Sequence, residues 1–361
     1  MMFHIDNRAG TADYSLAKKN YPVLSELKDD TMPSKHNKKE ESVSRRQFLL
    51  RTAATCGLAA TAGAWGYIFY SKEPVRRSDT KIYTFRDYRI ENKKVYPDLA
   101  VVRGKDTDKI VRAAIERIGG MGRFVSPGEK VLLKPNAAWD RQPEQAANTN
   151  PDVVASVVKL CLEARASEVW VTDVSVNDPY RCFVRSGIEA AVKKSGGRLR
   201  LNTDNDFVPT DLKGESLKVW PVSSFYHQAD KLINLPIAKQ HSLSKCTMAM
   251  KNLYGSLGGQ RNRLHQDINT SIADLASAIR PTLTVLDATR VLRRNGPTGG
   301  NLSDVSIDDT VVAGIDIVAV EAYGLRFLDL KVEDIPFIAM AEKRGVGISD
   351  CKSLNIAEIN V

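Results

Sequence analysis

Residues 230–267 concentrate groups able to hold anions or move protons: Lys239, His241, Lys251, Asn252 and His265 all fall in this stretch, and with His227 just before it three of the chain's five histidines lie between 227 and 265. Imidazole ligates metals or shuttles protons near neutral pH. His241, Lys251 and His265 are therefore the candidate catalytic groups, and His241 with His265 the candidate ligands of a metal ion. Lys239, Lys251 and Asn252 suit an anionic oxygen, and the glycines at 255, 258 and 259 allow backbone to approach closely.

Outside that stretch, three apolar runs end in polar residues. Lys134 and Asn136 follow Lys130–Leu133, Asp173 follows Glu168–Thr172, and Asp287 follows Leu283–Leu286. Ligands of open parallel sheets bind beyond the carboxyl ends of strands, where loops and helix N-termini converge. The candidate ligand-binding set is thus Lys134, Asn136, Asp173, Lys239, Asn252 and Asp287. A glycine-rich loop, Asn295–Gly300, follows Arg290, Arg293 and Arg294 and has the composition of a ligand cover or a turn.

The elements needed to position these groups are legible as alternation of short apolar runs with helical spacing, which predicts βαβ units. Ile110, Val111, Ala114, Ile115 and Ile118 predict a helix that stops at Gly119-Gly120. Asn150 reads as an N-cap with Pro151 at the first helical position, and Val153, Val154, Val157, Val158 and Cys161 form the apolar face. Further helices are expected at Pro179–Lys194, Thr247–Leu253, Ile268–Ile279, Asp316–Phe327 and Glu333–Lys343, and further strands at Arg198–Asn202, Leu217–Val222 and Asp230–Leu235. The expected fold is one large α/β domain over residues 96–361, a mostly parallel sheet with helices on both faces.

Composition agrees with a globular body: 361 residues, 43% hydrophobic and 26% charged, with net charge +9. Residues 1–64 hold ten Lys/Arg against seven Asp/Glu, which leaves a surplus of six positive charges for the rest. That surplus suits an anionic ligand, and the lack of basic runs interleaved with aromatics argues against nucleic acid. The five cysteines form no C-x-x-C pair, so no iron–sulfur or structural zinc site is expected. G-x-G-x-x-G, the phosphate-binding loop, H-E-x-x-H and G-x-S-x-G are all absent from the sequence.

The N-terminus reads as targeting. Arg45 and Arg46 precede Phe48-Leu49-Leu50, and an uncharged, weakly hydrophobic stretch runs from Thr52 to Tyr70. This is the twin-arginine pattern, which predicts the twin-arginine translocase as a partner and a periplasmic or other extracytoplasmic location. The stretch is nearly long enough to span hydrocarbon, so an uncleaved anchor on the inner membrane is the alternative to a cleaved signal over 44–70. Residues 1–43 read as a disordered polar n-region and 71–95 as a linker.

Several ordered motifs resemble the family catalogued as domain of unknown function 362. They are Leu132–Asn136, Asn148–Pro151, Ala229–Pro236 with Lys239 and His241, Met250–Gly255, Gly296–Gly300 and Ala313–Ala322, and the likeness runs over residues 95–350. Gln240 stands where the family has Thr, and Glu321 where it has Asp. Some relatives join a ferredoxin-like four-cysteine module, which this chain lacks. The resemblance implies one domain and a role for the Lys, His and Asn motifs, without a reaction. The residues themselves suit an exported enzyme that acts on an anionic small molecule with a metal or tightly held cofactor. The alternative is a non-catalytic protein that captures an anionic solute or docks on a membrane redox complex.

Overall fold

A computed structural model describes residues 44–46, 50, 81–92 and 95–361. The chain divides into residues 1–76 and a unit spanning residues 77–361. The apolar stretch of the expected signal and the polar n-region lie outside the described residues. Among the described residues no helix is long and apolar enough to cross a membrane.

The second unit is built on a ten-stranded mixed sheet. Its strands are β2 (Leu99–Arg103), β3 (Lys130–Pro135), β4 (Glu168–Val171), β5 (Arg198–Leu199), β8 (Lys231–Leu235), β9 (Ile237–His241), β10 (Lys245–Thr247), β11 (Leu283–Leu292), β12 (Val305–Gly314) and β13 (Ile356–Asn360). The order β13-β2-β12-β11-β8-β3-β4-β5 forms the main path, with β9 beside β11 and β10 beside β9. Only β12 and β10 run against the other strands, so the sheet is largely parallel, as the alternating pattern predicts. A separate three-stranded sheet holds β1 (Tyr83–Thr84), β6 (Phe207–Asp211) and β7 (Val219–Ser223).

Period-two burial makes two cores. Ala100, Val102, Val131, Leu133, Val311 and Ala313 pack on one face with the helices Thr107–Arg117, Pro151–Glu163 and Ile188–Ser195. Leu99, Val101, Leu132 and Val312 pack on the other with the helices Ile268–Ala278, Ile317–Gly324 and Pro336–Lys343. Since neighbouring residues point to opposite faces, both faces must be apolar and covered.

Caps fix the helix starts read from sequence. Asp106 accepts from Lys109 N–H at 3.2 Å, and the Asn150 side chain accepts from Asp152 N–H at 3.0 Å ahead of Pro151. The expected helix Pro179–Lys194 is instead two, Pro179–Arg185 and Ile188–Ser195, because Gly187 between them adopts φ 74°. The expected helix at 247–253 is the end of β10, a short helix Ala249–Asn252 and a 3-10 turn Leu253–Ser256.

The described residues of the expected linker 71–95 join the fold. Within it, β1 pairs with β6, Tyr88 is buried with its hydroxyl donating to Tyr226 O, and Thr282 Oγ1 donates to Tyr88 O at 2.8 Å. The reason is apolar: Phe85 and Tyr88 find core to pack against.

Candidate functional site

The carboxyl ends of β3 and β4 meet β9 and the helix Ala249–Asn252 around one cavity of about 260 Å³. Lys134, Asn136, Asp173, Lys239, His241, Lys251, Asn252 and His265 all line it. Sequence reasoning therefore selects eight of nine candidate positions that the fold brings together.

Asp287 is the exception. Strand β11 continues to Leu292, so residue 287 sits inside the strand rather than at its tip. Its oxygens are occupied: Oδ2 accepts from Asn150 N–H at 2.8 Å, and Oδ1 from Thr289 N–H at 2.9 Å and Thr289 Oγ1–H at 2.7 Å. Burial raises its pKa despite these donors. Asp287 anchors the start of the helix Pro151–Glu163 and does not reach the cavity.

The motif residues at 148–150 are also structural. Asn148 holds Trp139, accepting from its N–H at 3.0 Å and donating to its carbonyl at 2.8 Å. Thr149 Oγ1 donates to Leu235 O at 2.7 Å and accepts from Asn136 N–H at 2.8 Å. Trp139 and Asn136 are thereby held at the cavity wall.

An inventory of donors and acceptors separates framework from free capacity. Lys134 uses all three ammonium hydrogens, on Asp173 Oδ1 at 2.6 Å, Pro135 O at 2.9 Å and Asn252 Oδ1 at 3.3 Å. Asn252 donates to Lys134 O at 3.1 Å and Asn234 Oδ1 at 2.9 Å and also accepts from Asn136 Nδ2 at 3.0 Å, so it too is saturated. These two expected ligand-binding residues are the frame of the site. Gly255 completes that frame, because a Cβ there would lie 1.7 Å from Asp173 Oδ1 and 2.5 Å from Lys134 Nζ.

Free capacity belongs to other groups. Lys239 donates to Asn136 Oδ1 at 3.0 Å and Ala147 O at 2.5 Å, which leaves one hydrogen. Lys251 makes no hydrogen bond or ion pair among the described residues, and its ammonium sits 4.6 Å from the centre of the Tyr254 ring. Burial, with Lys251 nearby and no full counter-charge, pushes the Lys239 amine down to about 7. Burial first and Arg261 second push the Lys251 amine down to about 8.

The two histidines have opposite tautomers. His241 Nδ1 accepts from Leu243 N–H at 3.0 Å and Ser244 N–H at 3.3 Å, so the ring proton is on Nε2. His265 Nδ1 lies 3.1 Å from Asn262 O, which can only accept, so His265 carries its proton on Nδ1 and has a lone pair on Nε2. The rings lie 6.4 Å apart and 11° from parallel. Burial and the Lys251 and Lys239 charges hold His241 down to about 3, and burial lowers His265 as well. Both are neutral at pH 7.

These residues do not fit the expected metal ion. His241 presents an N–H rather than a lone pair, the lining includes Lys239 and Lys251, and no group of three His, Cys, Asp or Glu side chains among the described residues converges on a cation position.

Three residues outside the nine candidates contribute. Thr247 has a buried hydroxyl with no partner and lines the cavity; nothing in its spacing marks it. Arg261, just past the glycine pair, lines the cavity while donating to Val174 O at 2.6 Å and Ser175 O at 2.5 Å. Glu321 accepts from Met250 N–H at 2.8 Å and so orients the turn that carries Lys251. Gln240, between Lys239 and His241, turns to the 295–300 loop, where its Oε1 accepts from Gly296 N–H at 2.7 Å. A Cβ on Gly296 would lie 1.9 Å from Gln240 O, and Pro297 beside it forms part of the cavity wall.

Among known proteins, a thylakoid-associated protein of Synechocystis is 30% identical over 252 residues, covering 65% of this chain and 74% of that one. The apoprotein of lactate racemase from Thermoanaerobacterium thermosaccharolyticum aligns over 68% of this chain and 60% of its own at 11% identity, with a TM-score of 0.36. A structural-genomics protein from Thermotoga maritima aligns over 66% of this chain and 58% of its own at 11% identity, with a TM-score of 0.34. The chain thus spans less than two thirds of either solved chain. Residues 131–326, which include every cavity-lining residue named above, match the family described as Domain of unknown function (DUF362), and the chain belongs to that family.

Proposed function

We propose that the cavity binds a small molecule bearing anionic oxygens and carries out proton transfer on it. One observation supports this above others: the nitrogens left uncommitted around the cavity, on Lys239, Lys251, Asn136 and His241 Nε2, are donors, with the His265 lone pair the exception at the rim. An acceptor-rich anion fits such a lining, and Asp173, the one carboxylate in it, is already held by Lys134 and by Ala137 N–H at 2.7 Å. His265 is the base, and His241 the neutral donor that polarises an oxygen without becoming charged.

Anion binding should draw a proton onto Lys239, whose pKa of about 7 rises when a counter-charge arrives. A thermal-shift screen of small carboxylates and phosphates at pH 7.5 is expected to find stabilising anions, by about 2.7 kcal/mol at a hundredfold excess over Kd. Calorimetry in buffers of different ionisation enthalpy is expected to show net proton uptake. Stabilisation no larger than that from chloride at equal ionic strength, or binding without proton uptake, counts against the reading. A ligand that stabilises and is never converted makes this a capture protein.

We also propose export by the twin-arginine route, supported by Arg45-Arg46 ahead of the apolar stretch 52–70. The Synechocystis relative is thylakoid-associated, which is compatible with an extracytoplasmic place for this protein. Replacing Arg45 and Arg46 together by Lys is expected to hold the full-length chain in the cytoplasm of a bacterial host. Unchanged fractionation would remove the proposal.

A further inference from the structure

We propose that Lys251 is a covalent nucleophile, forming an imine with the carbonyl carbon of a small 2-oxo acid held in this cavity. The inference rests on the anion-binding reading and names the substrate class of that same site.

Three lysines line the cavity, and their partners separate them. Lys134 is fully committed and Lys239 is committed at two of three hydrogens. Lys251 is 7% exposed and has only the face of Tyr254 beneath it. A buried amine aimed into a cavity with no hydrogen-bond partner is a poor structural element, since burial of an unmatched donor costs stability. The same isolation suits a nucleophile, which needs its lone pair unengaged. Burial and Arg261 keep a usable share of this amine unprotonated near neutral pH.

The surroundings choose the electrophile. A carboxylate takes hydrogens from Lys239 and from His241 Nε2, and the adjacent carbonyl oxygen meets the Thr247 hydroxyl, which is buried without a partner on the same cavity. The Lys251 nitrogen adds to the carbonyl carbon, forming C–N as the C=O π bond opens. Two protons pass in turn from nitrogen through the His265 Nε2 lone pair, the first to the alkoxide to give a carbinolamine and the second to its hydroxyl. The C–O bond breaks, water leaves and C=N remains, so no oxidant or reductant enters.

The test uses the purified full chain, pyruvate or glyoxylate, and cyanoborohydride to trap the imine, read by intact mass and peptide mapping. Expected is one adduct, on Lys251, with a mass gain equal to the acid less one oxygen atom, forming faster as pH rises through about 8. Lactate, which lacks the carbonyl, gives none, and Lys251→Arg abolishes the adduct in a protein shown to be folded by its thermal midpoint. Thr247→Val is expected to slow trapping about tenfold, the scale of one lost hydrogen bond. Modification spread over exposed lysines such as Lys245, or none at Lys251, overturns the proposal. If the oxo acids still shift the thermal midpoint in that case, the anion-binding reading survives alone; if they do not, the oxo-acid assignment falls and the carboxylate and phosphate screen alone decides the anion-binding reading.

Discussion

Lys251→Met is expected to raise the thermal midpoint of the ligand-free protein at pH 7 while weakening anion binding at least tenfold. The amine sits at about 8 when folded against an ordinary 10.5, which corresponds to roughly 3 kcal/mol of unfavourable burial at neutral pH. In a domain of this size that is about 5–10 °C. The sign follows from proton binding: between pH 8 and 10.5 the unfolded chain holds a proton at this site that the folded chain has lost. The penalty is therefore full below pH 8 and fades as pH rises through 10.5, so wild type and variant should converge in alkaline buffer. Methionine is close in volume and needs no partner. A variant less stable than wild type at pH 7, or a difference independent of pH, would show that Lys251 is compensated by something else. Opposite movements of stability and affinity are what distinguish a functional amine from a structural one.

Asp173→Asn should act in the other direction and more strongly. It leaves the fully buried Lys134 ammonium without its counter-ion, which now stands 2.6 Å away. Breaking a buried pair from one side costs about 3–5 kcal/mol, because the remaining charge has no solvent. Urea unfolding is the measurement, and the Lys134→Met, Asp173→Asn double variant should recover part of the loss, with a coupling energy of about 1–3 kcal/mol. A single-variant loss below about 1 kcal/mol, the scale of an exposed pair, would mean the Lys134–Asp173 contact is not part of the frame.

The parts of the fold that could be read from sequence are those where apolar runs and caps agree. Val131–Leu133 in β3 and Leu232-Ile233 in β8 are apolar runs because both sheet faces are covered, and Asp106, Asn150 and Gly345 mark helix ends by their own chemistry. What escaped has a physical reason too. Strand β12 begins Val305-Ser306-Ile307-Asp308-Asp309, half polar because its first residues lie at the sheet's rim, and β6 is interrupted by Pro209 in a small sheet. Asp287 looked like a strand tip because a charge ended an apolar run, whereas tertiary donors from Asn150 and Thr289 let the strand continue through it.

The same reasoning applies to the site. Residue types at 134, 239, 241, 251 and 265 announced polar chemistry, and the parallel sheet explained why they meet. Their roles were not in the types. Lys134 differs from Lys251 in how many partners the fold supplies, and the opposite tautomers of His241 and His265 depend on backbone groups at Leu243, Ser244 and Asn262. A proton's position is set by a neighbour's orientation, which spacing along the chain does not encode.

The Gln240–Gly296 link has a bearing on solute traffic. Pro297 is fastened through Gly296 to the strand that bears Lys239 and His241, so on that side a hydrogen bond joins loop and strand beside the cavity. The opposite bank, Arg261–Asp267, leaves Asn262, Arg263 and Gln266 standing in solvent while Asn262 still borders the hollow. Asn262 is thus an exposed residue on the cavity's edge, and a bulky side chain there is expected to slow ligand entry while leaving the interior unaltered.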